Sequence, residues 1–132
     1  MIFGIGIDTI EVPRIEHSLN YYGEQFTNRI FSEEEIRYCT NKPHRAEHFA
    51  ARFAAKEAYA KALGTGVRRG FIWKEASVGR EISGRPFIRL SEAMQARANR
   101  IAGENCRIYL SLTHTKLVAE AVVIIEVDQL IG

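Results

Sequence analysis

Residues 45–63 carry the strongest constraint on the fold. Eight of these nineteen positions are alanine, the last at Ala62, so the stretch is a strong helix former. Gly64 and Gly66 follow it and stop it. At ~100° per residue, Phe49, Phe53, Ala60 and Leu63 share one side, with Lys56 inside that stripe and Arg52 at its edge. Glu57 and Lys61 lie four apart on a neighbouring face lined by Ala50 and Ala54. A helix that is small and apolar nearly all round packs on several sides at once. Two readings of its four charges are open. They form helical pairs, Glu57–Lys61 contributing about 0.3 kcal/mol, or they serve a ligand.

The rest of the chain supplies what such a helix can pack against. Ile2–Asp8 reads as a strand, with Phe3, Ile5 and Ile7 on one face and Ile2, Gly4, Gly6 and Asp8 on the other. Pro13 suits the start of a helix whose stripe is Val12, Ile15 and Leu19. Ser32-Glu33-Glu34-Glu35 is a capping box that predicts a short helix to about Cys39. Trp73–Glu81 and Pro86–Leu90 read as strands around Ser83-Gly84-Arg85, and Ser91 caps a helix that Gly103 stops. Arg107–Thr113 and Leu117–Val127 alternate as strands about a tight turn at His114-Thr115-Lys116. The order predicts an α+β fold, a largely antiparallel sheet packed by helices, with residues 1–132 as one domain.

Composition narrows the function classes. At 46% hydrophobic and 26% charged the chain is too apolar to be disordered. Its apolar runs, such as Ala121–Ile125, fall far short of the ~20 residues that cross a bilayer. Eighteen basic against sixteen acidic side chains give a net charge of +2, which argues against a nucleic-acid binder. The opening MIFGIGID lacks a basic leader region, and Cys39 and Cys106 form no secreted framework. The expectation is a reduced, cytoplasmic protein bound to neither membrane nor nucleic acid.

Asp8 ends its strand on the face that two glycines leave bare, where a helix or a ligand can approach closely; a plain turn aspartate is the other reading. One carboxylate there and one at Glu57 suit a hard ion such as Mg²⁺, which takes a few carboxylates plus water and phosphate oxygens. Arg52, Lys56 and Lys61 beside them suit a polyphosphate. His114, between two threonine hydroxyls, is either a phosphate donor or an exposed turn residue. There is no nucleophile elbow, Walker loop, CxxC or HExxH. Another Mg²⁺-dependent phosphate enzyme and a non-catalytic module binding an acidic protein stand as alternatives to the reading below.

Five segments together resemble the holo-acyl-carrier-protein synthases of the 4′-phosphopantetheinyl transferase superfamily. They are GIGIDTIEVPRIE (4–16), FSEEEIRYC (31–39), RFAAKEAYAKALGTG (52–66), SGRPFIRL (83–90) and LSLTHTKLVAEAVVI (110–124). Thr9 and Thr113 depart from the family's commoner residues without removing a functional group. The resemblance implies that fold, and transfer of the phosphopantetheine arm of coenzyme A to a serine of apo acyl carrier protein in fatty acid biosynthesis, releasing adenosine 3′,5′-bisphosphate. It implies Asp8 and Glu57 as Mg²⁺ ligands, with Lys61 stabilising charge on the pyrophosphate. It implies Arg52, Lys56, His114 and Thr115 at the phosphates, and Gly64, Gly84 and Pro86 shaping the nucleotide site. The serine's base is Glu57, Asp8 or a metal-bound water. A homotrimer is implied, with Arg14 and Arg45 facing the carrier.

Overall fold

A computed structural model describes residues 1–130; residues 131–132 lie outside the described residues. The alanine-rich helix, α4 (Arg45–Leu63), lies against a three-stranded antiparallel sheet in the order β1 (Ile2–Glu11), β6 (Val118–Glu126), β5 (Arg107–His114). Central β6 buries Ala119, Ala121, Val123 and Ile125 under the helix, the alternation that a pleated strand imposes. α1 (Val12–Tyr22) follows β1 directly and buries Val12, Ile15 and Leu19, the stripe its spacing predicts. α3 (Glu33–Thr40) starts at the capping box: Ser32 Oγ accepts from the Glu35 amide, and Glu35 Oε1 from the Ser32 amide. β2 (Ala76–Arg80) pairs antiparallel with β3 (Pro86–Leu90), and Ser91 caps α5 (Glu92–Ala102).

The fold is α+β with antiparallel pairing throughout its described ladders, as the sequence predicts, but the strands form three separate sheets rather than one. The smallest, β4 (Gly103–Glu104) with β7 (Gln129–Leu130), is two residues long and has no sequence signal of its own. α2 (Glu24–Ile30) is also unanticipated: Gly23, at φ 55°, ends α1 and begins this seven-residue helix, too short to show a periodic stripe. The strand predicted from Trp73 begins at Ala76, because Trp73–Glu75 form a 3₁₀ turn. His114 is the last residue of β5, opposite Ala119, rather than part of the turn.

Two glycines set how closely β1 meets α4. A Cβ on Gly4 would penetrate the Ala62 carbonyl oxygen, and one on Gly6 the Ala58 carbonyl oxygen. Among the described residues, the opposite face of the sheet is exposed. There Ile5 (64% exposed), Ile7 (58%) and Tyr109 (41%) form an apolar surface with Val122 and Ile124 of β6. Gly6→Ala forces a methyl group into helix backbone, which cannot rotate away. It should cost about 1–3 kcal/mol or more, read as a lower urea midpoint, and an unchanged midpoint would show that strand and helix are not in this contact.

Candidate active site

Asp8 stands two residues beyond Gly6, paired with Ala121 of β6. It therefore points to the α4 side, where Glu57 and Lys61 sit on adjoining turns. Lys61 Nζ donates to Asp8 Oδ1 at 3.0 Å and to the Ile7 carbonyl at 3.1 Å. The helical Glu57–Lys61 pair, one of the two readings open from the sequence, is absent among the described ion pairs: the lysine spans from helix to strand instead. Burial, then the charge of Asp8, holds the Glu57 carboxyl above the ordinary glutamate range, and Lys61 opposes this only in part. Asp8, which lies inside β1 three residues before its end at Glu11 rather than at the strand end the sequence suggests, and the helix glutamate thus feel one another across the β1–α4 contact, with half-exposed Lys61 beside them.

Two carboxylates, a half-exposed ammonium and access from solvent fit a hard divalent cation that brings further oxygens of its own. No group of three or more His, Cys, Asp or Glu side chains able to cage a metal exists among the described residues. This site therefore suits a cation that completes its shell with water and phosphate, as Mg²⁺ does.

Lys56 is a correction to the sequence reading. It is fully buried, and its Nζ donates to Glu35 Oε1 (2.8 Å), the Trp73 carbonyl (2.9 Å) and the Ala76 carbonyl (2.7 Å). An ammonium has three protons, so none remains for a phosphate. Glu35 is as fully engaged: besides the cap it accepts from the Val78 amide through Oε2. The pair ties α3, α4 and β2 together. Cys39, buried beside it, has its thiol pushed up to about 12 by burial, which rules out thiolate chemistry there.

Arg52 is also buried, 2% exposed. Its guanidinium lies 4.3 Å from the Tyr38 ring centroid, Nη1 reaches the His48 carbonyl at 3.5 Å, and Nε has no partner. Unlike Lys56 it keeps donor capacity. His48, one turn earlier, packs its ring edge-on against His114 with centroids 5.1 Å apart. His114 Nδ1 meets Glu47 Oε1 at 3.0 Å. Thr115 Oγ1 accepts from the Leu117 and Val118 amides and so shapes the β5–β6 turn. Glu47 is not singled out by the sequence, and His48 shows there only that it has no zinc-ligand spacing; their one signal is that Glu47 lies in the first turn of the helix whose later turns carry the other charges.

Gly64 caps α4 at φ 87°, with open space where a Cβ would point. Gly84, at φ 93°, turns the β2–β3 hairpin, and Pro86 begins β3. Pro86 faces Ile108–Leu110 across a cleft of about 260 Å³. It is separated from Asp8 by the width of the sheet, so Gly84 and Pro86 are not brought to the carboxylates within one chain. Arg14 and Arg45 are exposed, and neither has an ion-pair partner among the described residues. Arg45 and Lys116 flank an open cleft of about 520 Å³ between α1 and the start of α4.

Comparison with known proteins bears on the family and the fold. Residues 4–115 match the sequence profile of the 4′-phosphopantetheinyl transferase superfamily. A holo-[acyl-carrier-protein] synthase of Koribacter versatilis is 48% identical over 126 residues, covering 96% of this chain and 99% of that protein. The crystal structure of holo-[acyl-carrier-protein] synthase from Neisseria meningitidis superposes with a TM-score of 0.85 at 31% identity, over 96% of this chain and 99% of that one. That of Bacillus anthracis, in complex with CoA (3′,5′-ADP), gives 0.80 at 35% identity, over 97% and 99%.

The burial of Lys56 generates a test. Lys56→Met strands the Glu35 charge, which should cost about 3–5 kcal/mol in urea unfolding. Glu35→Gln/Lys56→Met, with neither charge, should be the more stable of the two variants. If Lys56→Met keeps its stability and instead loses coenzyme A affinity, the lysine belongs to the ligand after all.

Proposed function

This chain belongs to the 4′-phosphopantetheinyl transferase superfamily and acts as a holo-acyl-carrier-protein synthase, and from that premise we propose how its residues divide the reaction. The transfer moves the phosphopantetheine arm of coenzyme A to a serine hydroxyl of apo acyl carrier protein. A phosphorus–oxygen bond to the serine forms as the bond to adenosine 3′,5′-bisphosphate breaks, and the serine proton leaves.

The junction of Asp8, Glu57 and Lys61 carries this reading. Asp8 and Glu57 hold Mg²⁺ there. The ion, when bound, polarises the pyrophosphate and neutralises its charge. Lys61, already at the rim with half its side chain in solvent, swings from Asp8 to the departing phosphate and takes up the charge developing on it. Glu57, whose carboxyl is held high by burial and by Asp8, accepts the serine proton. Arg52, with its unpartnered Nε, and His114, with the ring nitrogen that does not face Glu47, grip coenzyme A phosphates. Gly64, with open space above it, admits the nucleotide close to the backbone. Thr115 holds the turn beside His114.

We extend the proposal to assembly and docking. The apolar sheet face around Ile5, Ile7 and Tyr109 is the subunit contact of a homotrimer, since an exposed surface of this kind is costly alone. In that assembly Gly84 and Pro86 serve the site of a neighbouring subunit. Arg14 on α1, with Arg45, faces the acidic carrier. We propose, too, a cytoplasmic setting and one catalytic domain across the chain; both cysteines are free, and no helix among the described residues is long and apolar enough to cross a membrane.

Incubation with apo carrier protein, coenzyme A and Mg²⁺ should add one phosphopantetheine arm to the carrier by mass spectrometry. Asp8→Asn and Glu57→Gln should lose at least about a hundredfold in rate, the scale of a lost acid–base or electrostatic group, while folding normally. Full transfer by either variant would remove it from the site. Protons compete with the cation for Glu57, so more Mg²⁺ should move the acid limb of the rate profile to lower pH. A limb that ignores Mg²⁺ would contradict the pairing. Light scattering reads the assembly, where a fully active monomer refutes it. The carrier KM of Arg14→Glu reads the docking face, where an unchanged value refutes it.

A further inference from the structure

We infer that Glu47 is a positioning residue for the transfer, holding the His114 imidazole in the one orientation that presents Nε2 to a coenzyme A phosphate. The inference rests on the proposal that His114 binds phosphate and adds a second residue to it.

Glu47 lies in the first turn of α4, and His114 ends β5, sixty-seven residues away in sequence. Their side chains are 15% and 26% exposed and meet at 3.0 Å through Oε1 and Nδ1. A carboxylate accepts and does not donate, so the proton of this bond is on Nδ1. Phosphate oxygens also only accept, so a phosphate at the far side of the ring requires a proton on Nε2. The bound ring is then an imidazolium, and Glu47 supplies its counter-charge. Without Glu47 the ring is free to flip about its Cβ–Cγ axis.

The neighbours leave this role to Glu47 alone. His48 packs directly on the His114 ring, and Arg52 and Lys42, which act on His48, are cations and cannot accept from Nδ1–H. Burial, with His114 and Arg52 nearby, holds His48 below the ordinary histidine range. It is therefore a neutral wall against the His114 ring, with its Nδ1 unpartnered. Opposite His114 on β6 stands apolar Ala119.

A double-mutant cycle tests this. Glu47→Ala should raise the KM for coenzyme A about three- to tenfold, the reach of one hydrogen bond, with a smaller change in kcat. Glu47→Gln, which can still accept from Nδ1–H, should fall between that variant and the wild type. In the His114→Ala background Glu47→Ala should add nothing, because a residue acting only through another has no effect in its absence. A merely structural residue would cost as much in both backgrounds, and that result overturns the inference. Histidine ¹⁵N spectra of the whole enzyme give the independent readout. His114 should carry its proton on Nδ1 in the wild type and lose that preference in Glu47→Ala; a wild-type ring protonated only at Nε2 also overturns it. An unchanged coenzyme A KM in His114→Ala is a different failure, since it removes the histidine itself from the site.

Discussion

The contact between β1 and α4 decides what this chain can do. Gly4 and Gly6 lie against the carbonyls of Ala62 and Ala58, so strand and helix run nearer than side chains normally allow. The two glycines span about 6.6 Å along the strand, and the two alanines about 6 Å along the helix, so the two elements keep step. Two further residues along the strand, Asp8 falls about one helical turn before Ala58, close enough for its charge to act on Glu57, and the long Lys61 side chain reaches back to it. A bulkier residue at position 4 or 6 would lift the strand and separate the carboxylates. The bare face of β1 is thus the reason a strand and a helix can share one small charged site.

Two lysines on the same helix show how context divides similar residues. Lys61 projects into solvent and reaches the strand; Lys56 is sealed between α3, α4 and β2 with every proton engaged. The Glu35–Lys56 pair fixes the far side of α4, and the glycine contact fixes the near side. A helix clamped on both sides holds its backbone in place, so Glu57 and Lys61 project from a fixed base, which favours chemistry that depends on positioning. Arg52 lies between these extremes: buried on Tyr38, yet with a donor unspent.

Much of this was legible before the structure because the signals were local. The alanine run, the glycines after it, the capping box at Ser32 and the alternation in β5 and β6 each sit within a few residues. The glycine–glycine–aspartate face of β1 pointed to a close approach, and the structure supplies the helix that makes it. What stayed hidden depends on residues distant in sequence. Glu35 reads as a cap and is one, but its bond to Lys56 crosses twenty-one residues. The Glu47–His114 bond crosses sixty-seven. Lys56 looked like a phosphate ligand because a charge on an apolar stripe has two explanations, and only its partner distinguishes them. α2 and the β4–β7 ladder are too short to carry a period.

The most direct check is whether one cation needs both elements. Mn²⁺ in place of Mg²⁺, titrated into the enzyme with coenzyme A and followed by electron paramagnetic resonance, counts bound metal without relying on turnover. Saturable binding in the wild type, lost in Asp8→Asn and equally in Glu57→Gln while circular dichroism stays the same, is the expected result. Wild-type Mn²⁺ affinity in either variant would mean that strand and helix do not share a metal, and that the β1–α4 contact serves packing alone.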